Sequence, residues 1–311
     1  MDDAALSPGS LRFDGRVAIV TGAGAGMGRE HARLLAARGA AVVVADIAGA
    51  DAVVGEIDAE GGRAVGVTSD VASGAEAHAL VNASLDTFGR VDIVVNNAGV
   101  LRSHEIAETT DEVWDEVLGV NVRGAFLVTR AAWPLMQQQH YGRVVFTTSN
   151  SGLLGVAGSS AYAASKAALW GLVRVLALEG AAHGVQTNAV APIAFTAMSA
   201  RSRAAPASWR TGTGDDWAAR LAPGYVSPIV AWLAHDACAL NGEVLSAAGG
   251  RVARFFLGLT RGVVDEGLTV ESVRNHEREI LADDGYDVLG SAGDENRLLY
   301  RRLMRDGEKE R

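Results

Sequence analysis

The sequence predicts an α/β protein, a doubly wound parallel sheet with helices on both faces, followed by a helical C-terminal extension. Three observations carry that expectation. Up to about residue 195, short apolar runs alternate with Ala- and Leu-rich helical stretches, the pattern of successive βαβ units. The apolar runs are nearly continuous, as strands buried on both faces require. A glycine-rich turn joins the first run to the first helix.

The elements follow in order. Val17-Ala18-Ile19-Val20 reads as the first strand, 22–28 as the turn and 29–38 as the first helix. Ala41-Val42-Val43-Val44-Ala45 is the second strand and ends in Asp46. Further strands are expected at 64–67, 91–95, 144–147 and 185–190, with helices at 75–88, 113–138 and 163–183. Residues 197–224 change character. They hold Ser, Thr, Gly, Pro and four arginines (Arg201, Arg203, Arg210, Arg220), with Trp209 and Trp217, and read as a long loop or short helices over a site. A helix at 228–235 and a last strand at 240–246 close a first domain spanning 1–250. The extension, 251–311, should contain amphipathic helices at 270–281 and 295–304 and a disordered end at 305–311.

Composition narrows the function. Hydrophobic residues make up 49% and charged residues 21% of the 311, enough apolar material for a core. A net charge of −9 makes nucleic acid a poor partner. Cys238 is the single cysteine and the seven histidines are scattered, so no metal site is expected. The acidic start leads into no leader-like run, and no uninterrupted apolar stretch approaches the ~20 residues of a membrane span. A cytoplasmic protein without membrane partners is the expectation.

Thr21-Gly22-Ala23-Gly24-Ala25-Gly26-Met27-Gly28 lies between strand and helix. Its glycines let the backbone turn sharply and approach a pyrophosphate, which the helix N-terminus attracts. This is a Rossmann-type dinucleotide loop. Asp46, 18 residues after Gly28, suits the ribose hydroxyls of NAD and repels the 2′-phosphate of NADP; Ile47 supplies no neighbouring cation. Asp70-Val71 is placed to contact the adenine edge, although turn chemistry explains Asp70 almost as well. Tyr162 and Lys166 are four apart and share a helix face. A nearby ammonium lowers the pKa of a phenol and fits it for proton transfer near neutral pH. Ser149 ends a strand 13 residues before Tyr162, Asn96-Asn97-Ala98-Gly99 ends another, and Asn121 sits inside a predicted helix.

With these motifs in this order, residues 12–250 resemble the short-chain dehydrogenase/reductase family. The resemblance implies that Tyr162 is the general acid/base, Lys166 binds the nicotinamide ribose and tunes Tyr162, Ser149 orients the substrate oxygen, and Asn121 holds a relay water. Ser151 is the alternative to Ser149. Cofactor contacts carried over are Gly22, Gly26, Met27, Gly28, Asp46, Asp70, Val71, Asn97, Ala98 and Gly99, with Tyr162, Lys166, Pro192 and Thr196 at the nicotinamide end. One departure is Pro192-Ile193, where the family usually has Pro-Gly; a side chain there narrows the pocket.

Leu11-Arg12-Phe13-Asp14-Gly15-Arg16, Gly99-Val100-Leu101-Arg102 and Leu221-Ala222-Pro223-Gly224-Tyr225-Val226 resemble, more narrowly, the (3R)-hydroxyacyl-CoA dehydrogenase units of type 2 peroxisomal multifunctional enzymes. Lys309-Glu310-Arg311 is not a Ser-Lys-Leu address. The expected activity is NAD-dependent hydride transfer at a secondary alcohol or ketone. A 3-hydroxyacyl-CoA is one substrate, its phosphates met by Arg102, Arg201, Arg203 and Arg210. A steroid, terpene or other small alcohol is the alternative. A silent dinucleotide-binding regulator is disfavoured by the intact Ser149, Tyr162 and Lys166, and a hydrolase by the lack of a Gly-x-Ser-x-Gly elbow. The apolar helices 113–138 and 163–183 predict a homodimer or homotetramer.

Overall fold

Strand β1 (Val17–Thr21) is buried along its whole length because it lies between two parallel neighbours, β2 (Ala41–Asp46) and β4 (Ile93–Asn96). The computed structural model describes residues 10–200 and 219–306, without the side chains of 304–306. Its main sheet has eight strands in the order β3-β2-β1-β4-β5-β6-β7-β8. The remaining strands are β3 (Arg63–Thr68), β5 (Gly142–Thr147), β6 (Val185–Pro192), β7 (Val244–Ala248) and β8 (Arg251–Phe255). Pairing is parallel from β3 to β7. The chain runs outward from β1 to β3 and then returns beside β1 as β4. A crevice therefore opens at the carboxyl ends of β1 and β4, the switch point where such sheets bind ligands.

Alternation along the strands divides the core into two faces. Ala18, Val20, Val42, Val44 and Val95 join one cluster with Ala32 and Leu35 of α1 (Gly26–Ala37) and Val230 and Leu233 of α9 (Ser227–Ala234). Ile19, Val43, Val94 and Val144 alternate with them and are equally buried. Their face is covered by α3 (Gly74–Phe88), α5 (Ala125–Gln139) and α7 (Ser160–Gly180). The shorter helices are α2 (Ala50–Ala59), α4 (Asp111–Leu118), α6 (Ser151–Leu154) and α8 (Ala197–Ala200). With its 3-10 extension, Ser160–His183 is long and apolar enough to cross a membrane, yet Leu169 and Val173 are buried in the fold. Ser73 caps α3 and Thr110 caps α4 through side-chain oxygens, which fixes both starts.

The expected single helix over 113–138 is interrupted. A π-helical turn, Gly119–Gly124, separates α4 from α5. Strand β8 was not anticipated: Gly249 and Gly250, both at positive φ, form a two-residue turn that returns the chain along β7. The chain divides into two compact units, Met1–Arg254 and Phe255–Arg311. The second unit contains α10 (Val270–Asn275), α11 (Glu277–Ile280) and α12 (Ala292–Asp306). It also holds a small antiparallel pair, β9 (Leu259–Thr260) and β10 (Tyr286–Asp287). The turn at His276, between α10 and α11, splits the helix expected over 270–281. Of the disordered end expected at 305–311, residues 305 and 306 belong instead to α12, and 307–311 lies outside the described residues.

Candidate active site

The crevice is floored by backbone held too close for side chains. A Cβ on Gly22 would lie 2.7 Å from Ala98 Cα, and one on Gly28 would lie 2.1 Å from Gly22 O. Gly22 and Gly26 also have positive φ. The β1 and β4 ends are fastened together. Thr21 Oγ1 accepts from the amides of Asn97 and Ala98, each at 3.1 Å, and Asn97 Nδ2 donates to the carbonyls of Thr21 and Gly22. Helix α1 starts after Ala25 without a side-chain cap, so its first-turn N–H groups are left for an anion. A dinucleotide pyrophosphate fits this cradle.

Asp46, at the end of β2, is half-buried; its Oδ2 accepts from Gly24 N at 2.8 Å and its Oδ1 from Ala48 N at 3.3 Å. The carboxylate thus shapes the glycine loop as well as facing the crevice edge, and Ile47 beside it is exposed. Asp70 is exposed and closes its own turn by accepting from Ala72 N. Val71 is buried against Gly124, where a Cβ would meet Val71 Cγ2 at 2.7 Å. Met27, the second residue of α1, is partly buried against the core. Thr196 lies across from Gly26, 3.9 Å from the position of a Cβ there, and caps α8 through Ser199 N. Pro192 pairs with Ala247, and Ile193 continues the ladder by donating its N–H to Ala247 O at 2.8 Å.

The chemistry-bearing side chains meet where β4 and β5 end. Ser149 is buried just beyond β5; its Oγ accepts from Ser151 N at 3.2 Å and donates to Asn150 Oδ1 at 3.3 Å. Tyr162, in the first turn of α7, has its phenol beside the Ser149 hydroxyl. One turn on, Lys166 is buried, donates Nζ to Thr147 O at 2.7 Å, and lies 5.7 Å from the Tyr162 ring centroid. Asn121 sits in the π-helical turn. Its Oδ1 accepts from Val100 N at 2.8 Å, and its Nδ2 donates to Val100 O and Ser165 Oγ. Ser165 in turn donates to Tyr162 O at 2.7 Å. Gly99 lets these groups approach: a Cβ there would lie 3.1 Å from Asn121 Oδ1 and 3.6 Å from Lys166 Nζ.

Burial pushes the Tyr162 phenol up from its ordinary range, with the neighbouring Ser149 hydroxyl opposing it. Burial, not the lowering expected from Lys166, sets the direction for Tyr162. Burial also lowers Lys166 to about 8. Sequence reasoning missed Ser165, which links Asn121 to the backbone of Tyr162. Its only signal was its place between Tyr162 and Lys166. Arg102 forks onto Glu116 through Nε and Nη2 instead of standing free. Arg201, Arg203 and Arg210, with Trp209 and Trp217, lie outside the described residues. Among the described residues, no group of three or more His, Cys, Asp or Glu is placed to hold a metal.

The short chain dehydrogenase family model matches residues 16–207. This chain is a short-chain dehydrogenase. The dehydrogenase is 40% identical over 285 residues to peroxisomal multifunctional enzyme type 2 of Mus musculus, covering 87% of this chain and 37% of that protein. It is 41% identical over 287 residues to a putative short-chain type dehydrogenase/reductase of Mycobacterium tuberculosis, covering 88% of this chain and 97% of that one. The structure of full-length peroxisomal multifunctional enzyme type 2 from Drosophila melanogaster superposes with a TM-score of 0.79 at 34% identity, over 95% of this chain and 50% of that chain. The chain thus spans half or less of these multifunctional relatives. Members of this family are oxidoreductases that transfer a hydride between a nicotinamide dinucleotide and an alcohol or ketone. The expectation of a cytoplasmic location is overturned by the peroxisomal relatives. It rested on the lack of a leader-like run, whereas peroxisomal import reads short address signals.

Proposed function

We propose that the chain is an NAD-dependent dehydrogenase of a secondary alcohol, or reductase of the matching ketone, with Tyr162 as general acid/base. The carrying observation is the Tyr162 phenol beside the Ser149 hydroxyl, with buried Lys166 one helical turn away and 5.7 Å from the Tyr162 ring centroid. A nicotinamide dinucleotide held here would supply the hydride chemistry of the reaction. Gly22, Gly26, Met27 and Gly28 would hold its phosphates, Asp46 its adenine ribose, and Asp70 and Val71 the adenine edge. Asn97, Ala98, Gly99, Pro192 and Thr196 would border its nicotinamide half, with Lys166 on that ribose. In reduction, the Tyr162 O–H passes its proton to the substrate oxygen while the Ser149 hydroxyl holds the same atom; oxidation runs the proton back. The Lys166 ammonium stabilises the phenolate as it forms. Asn121 fixes the turn opposite and holds the relay water.

NAD is favoured over NADP because Asp46 is anionic and Ile47 is not a cation. Apolar residues left exposed on α5 and α7, Phe126, Val175 and Leu178, support a homodimer or homotetramer. Tyr162→Phe keeps the ring and removes the proton. Turnover should fall by about 10²–10⁴-fold while NADH still binds, read by NADH fluorescence. A variant with near wild-type turnover would refute the role of Tyr162.

A further inference from the structure

Among the described residues, three segments adjoin Ser149 and Tyr162 at the mouth of the site. Residues 147–165 and 184–200 contain no charged side chain. The third, 104–109, lies against the start of α7: His104 forms a parallel bridge to Ser159, and the hydroxyls of Thr109 and Ser160 are 3.3 Å apart. On these segments Ile106 is 75% exposed, Leu154 73% and Met198 41%. Large apolar side chains left in water beside a reactive pair favour a substrate that covers them.

Along 102–116, beside these segments, the charge is predominantly negative. Glu105, Glu108, Asp111, Glu112, Asp115 and Glu116 stand against Arg102 alone, so this short stretch holds more than half of the excess negative charge of the chain. Arg102 is already forked onto Glu116. An approaching polyanion meets repulsion that extends over about 10 Å, the screening length at moderate salt.

We infer that this mouth selects neutral, apolar secondary alcohols and ketones over polyanionic coenzyme A esters, with Ile106 and Leu154 as specificity-determining contacts. The inference rests on the dehydrogenase reading above and chooses between its two substrate classes. Three probes test it with NAD: a 3-hydroxyacyl-CoA, the same hydroxyacyl group as its neutral N-acetylcysteamine thioester, and a monocyclic terpene alcohol. At low salt, kcat/KM for the neutral thioester should exceed that for the CoA ester by at least about tenfold. Added salt should raise the CoA value and leave the neutral one unchanged. Glu105→Gln with Glu108→Gln should raise kcat/KM for the CoA ester several-fold and leave the neutral probes alone. Ile106→Gln with Leu154→Gln should raise KM for the terpene alcohol about tenfold at unchanged kcat. Faster oxidation of the CoA ester than of its neutral thioester, weakening as salt rises, would overturn the inference and leave the dehydrogenase reading standing. If no probe gives Tyr162-dependent NADH formation, the dehydrogenase reading fails, and this inference with it.

Discussion

Lys166 is a buried cation whose ammonium donates to a backbone carbonyl, Thr147 O, and burial brings it to about 8 from the usual 10.5. The folded pKa lies below the unfolded one, so the folded state releases this proton first. Lys166 therefore costs stability below pH 8, and that cost is relieved as pH rises through the window from about 8 to 10.5. Activity runs the other way. The ammonium that stabilises the developing phenolate of Tyr162 is lost over the same window. Ketone reduction, which also needs Tyr162 protonated, should be level below about pH 7 and fall as pH passes about 8. A kcat/KM profile for reduction that stays flat to about pH 10 would remove Lys166 from the mechanism. Asp46 has two duties that one substitution can separate. Asp46→Asn removes the charge but keeps an acceptor for Gly24 N. The preference for NAD over NADP should shrink by about tenfold or more with little change in melting temperature. Asp46→Ala should lose both the preference and about 1 kcal/mol of stability. An unchanged cofactor ratio in both variants would leave Asp46 a loop residue only.

The π-helical turn at Gly119–Gly124 shows where an element's form comes from outside the element. Gly119-Val120-Asn121-Val122-Arg123-Gly124 carries apolar spacing that a plain helix satisfies, so the sequence reads straight through it. What inserts the wider turn is tertiary: both ends of the Asn121 amide are held by Val100 and Ser165. Long-range hydrogen bonds leave no local trace. The glycine loop was legible for the opposite reason, since strand, turn and helix are adjacent in the chain and the glycines stand where backbone meets backbone. Asn121→Ala would leave Val100 N, Val100 O and Ser165 Oγ without these partners in a mostly buried place. It should cost about 1–3 kcal/mol in urea unfolding and misplace the start of α7. Turnover should fall more steeply than stability explains, because Ser165 would lose its tie to Asn121 while still bonding Tyr162 O. A variant as stable and active as the parent would make the turn incidental.

At the scale of the whole molecule, the parallel sheet with helices on both faces was readable because it depends on period and spacing. Strand β8 and the strand pair of the second unit were not. Arg251-Val252-Ala253-Arg254-Phe255 mixes charge with apolar residues and follows two glycines that read as a boundary. Arg102 looked like a free cation because its partner Glu116 lies 14 residues away. Assembly was suggested by the surplus apolar character of two helices, and the structure locates that surplus. Residues Phe126, Trp133, Pro134 and Leu176 line a shallow groove between α5 and α7. Beside it Phe126 is 42%, Val175 51% and Leu178 59% exposed, although the opposite sides of both helices are buried in the core. Each such side chain gains about 1.5–3 kcal/mol when removed from water, and a self-complementary face counts every gain twice. The cost of association is of the same order as a handful of these contacts, so losing two of them from each copy should tip the balance. Light scattering at micromolar concentration should therefore give at least a dimer for the parent protein. Phe126→Glu with Leu178→Glu should give a monomer that keeps its far-ultraviolet circular dichroism, since neither side chain belongs to the core. A parent protein that is monomeric at that concentration, or a double variant that stays dimeric, would place the subunit contact elsewhere.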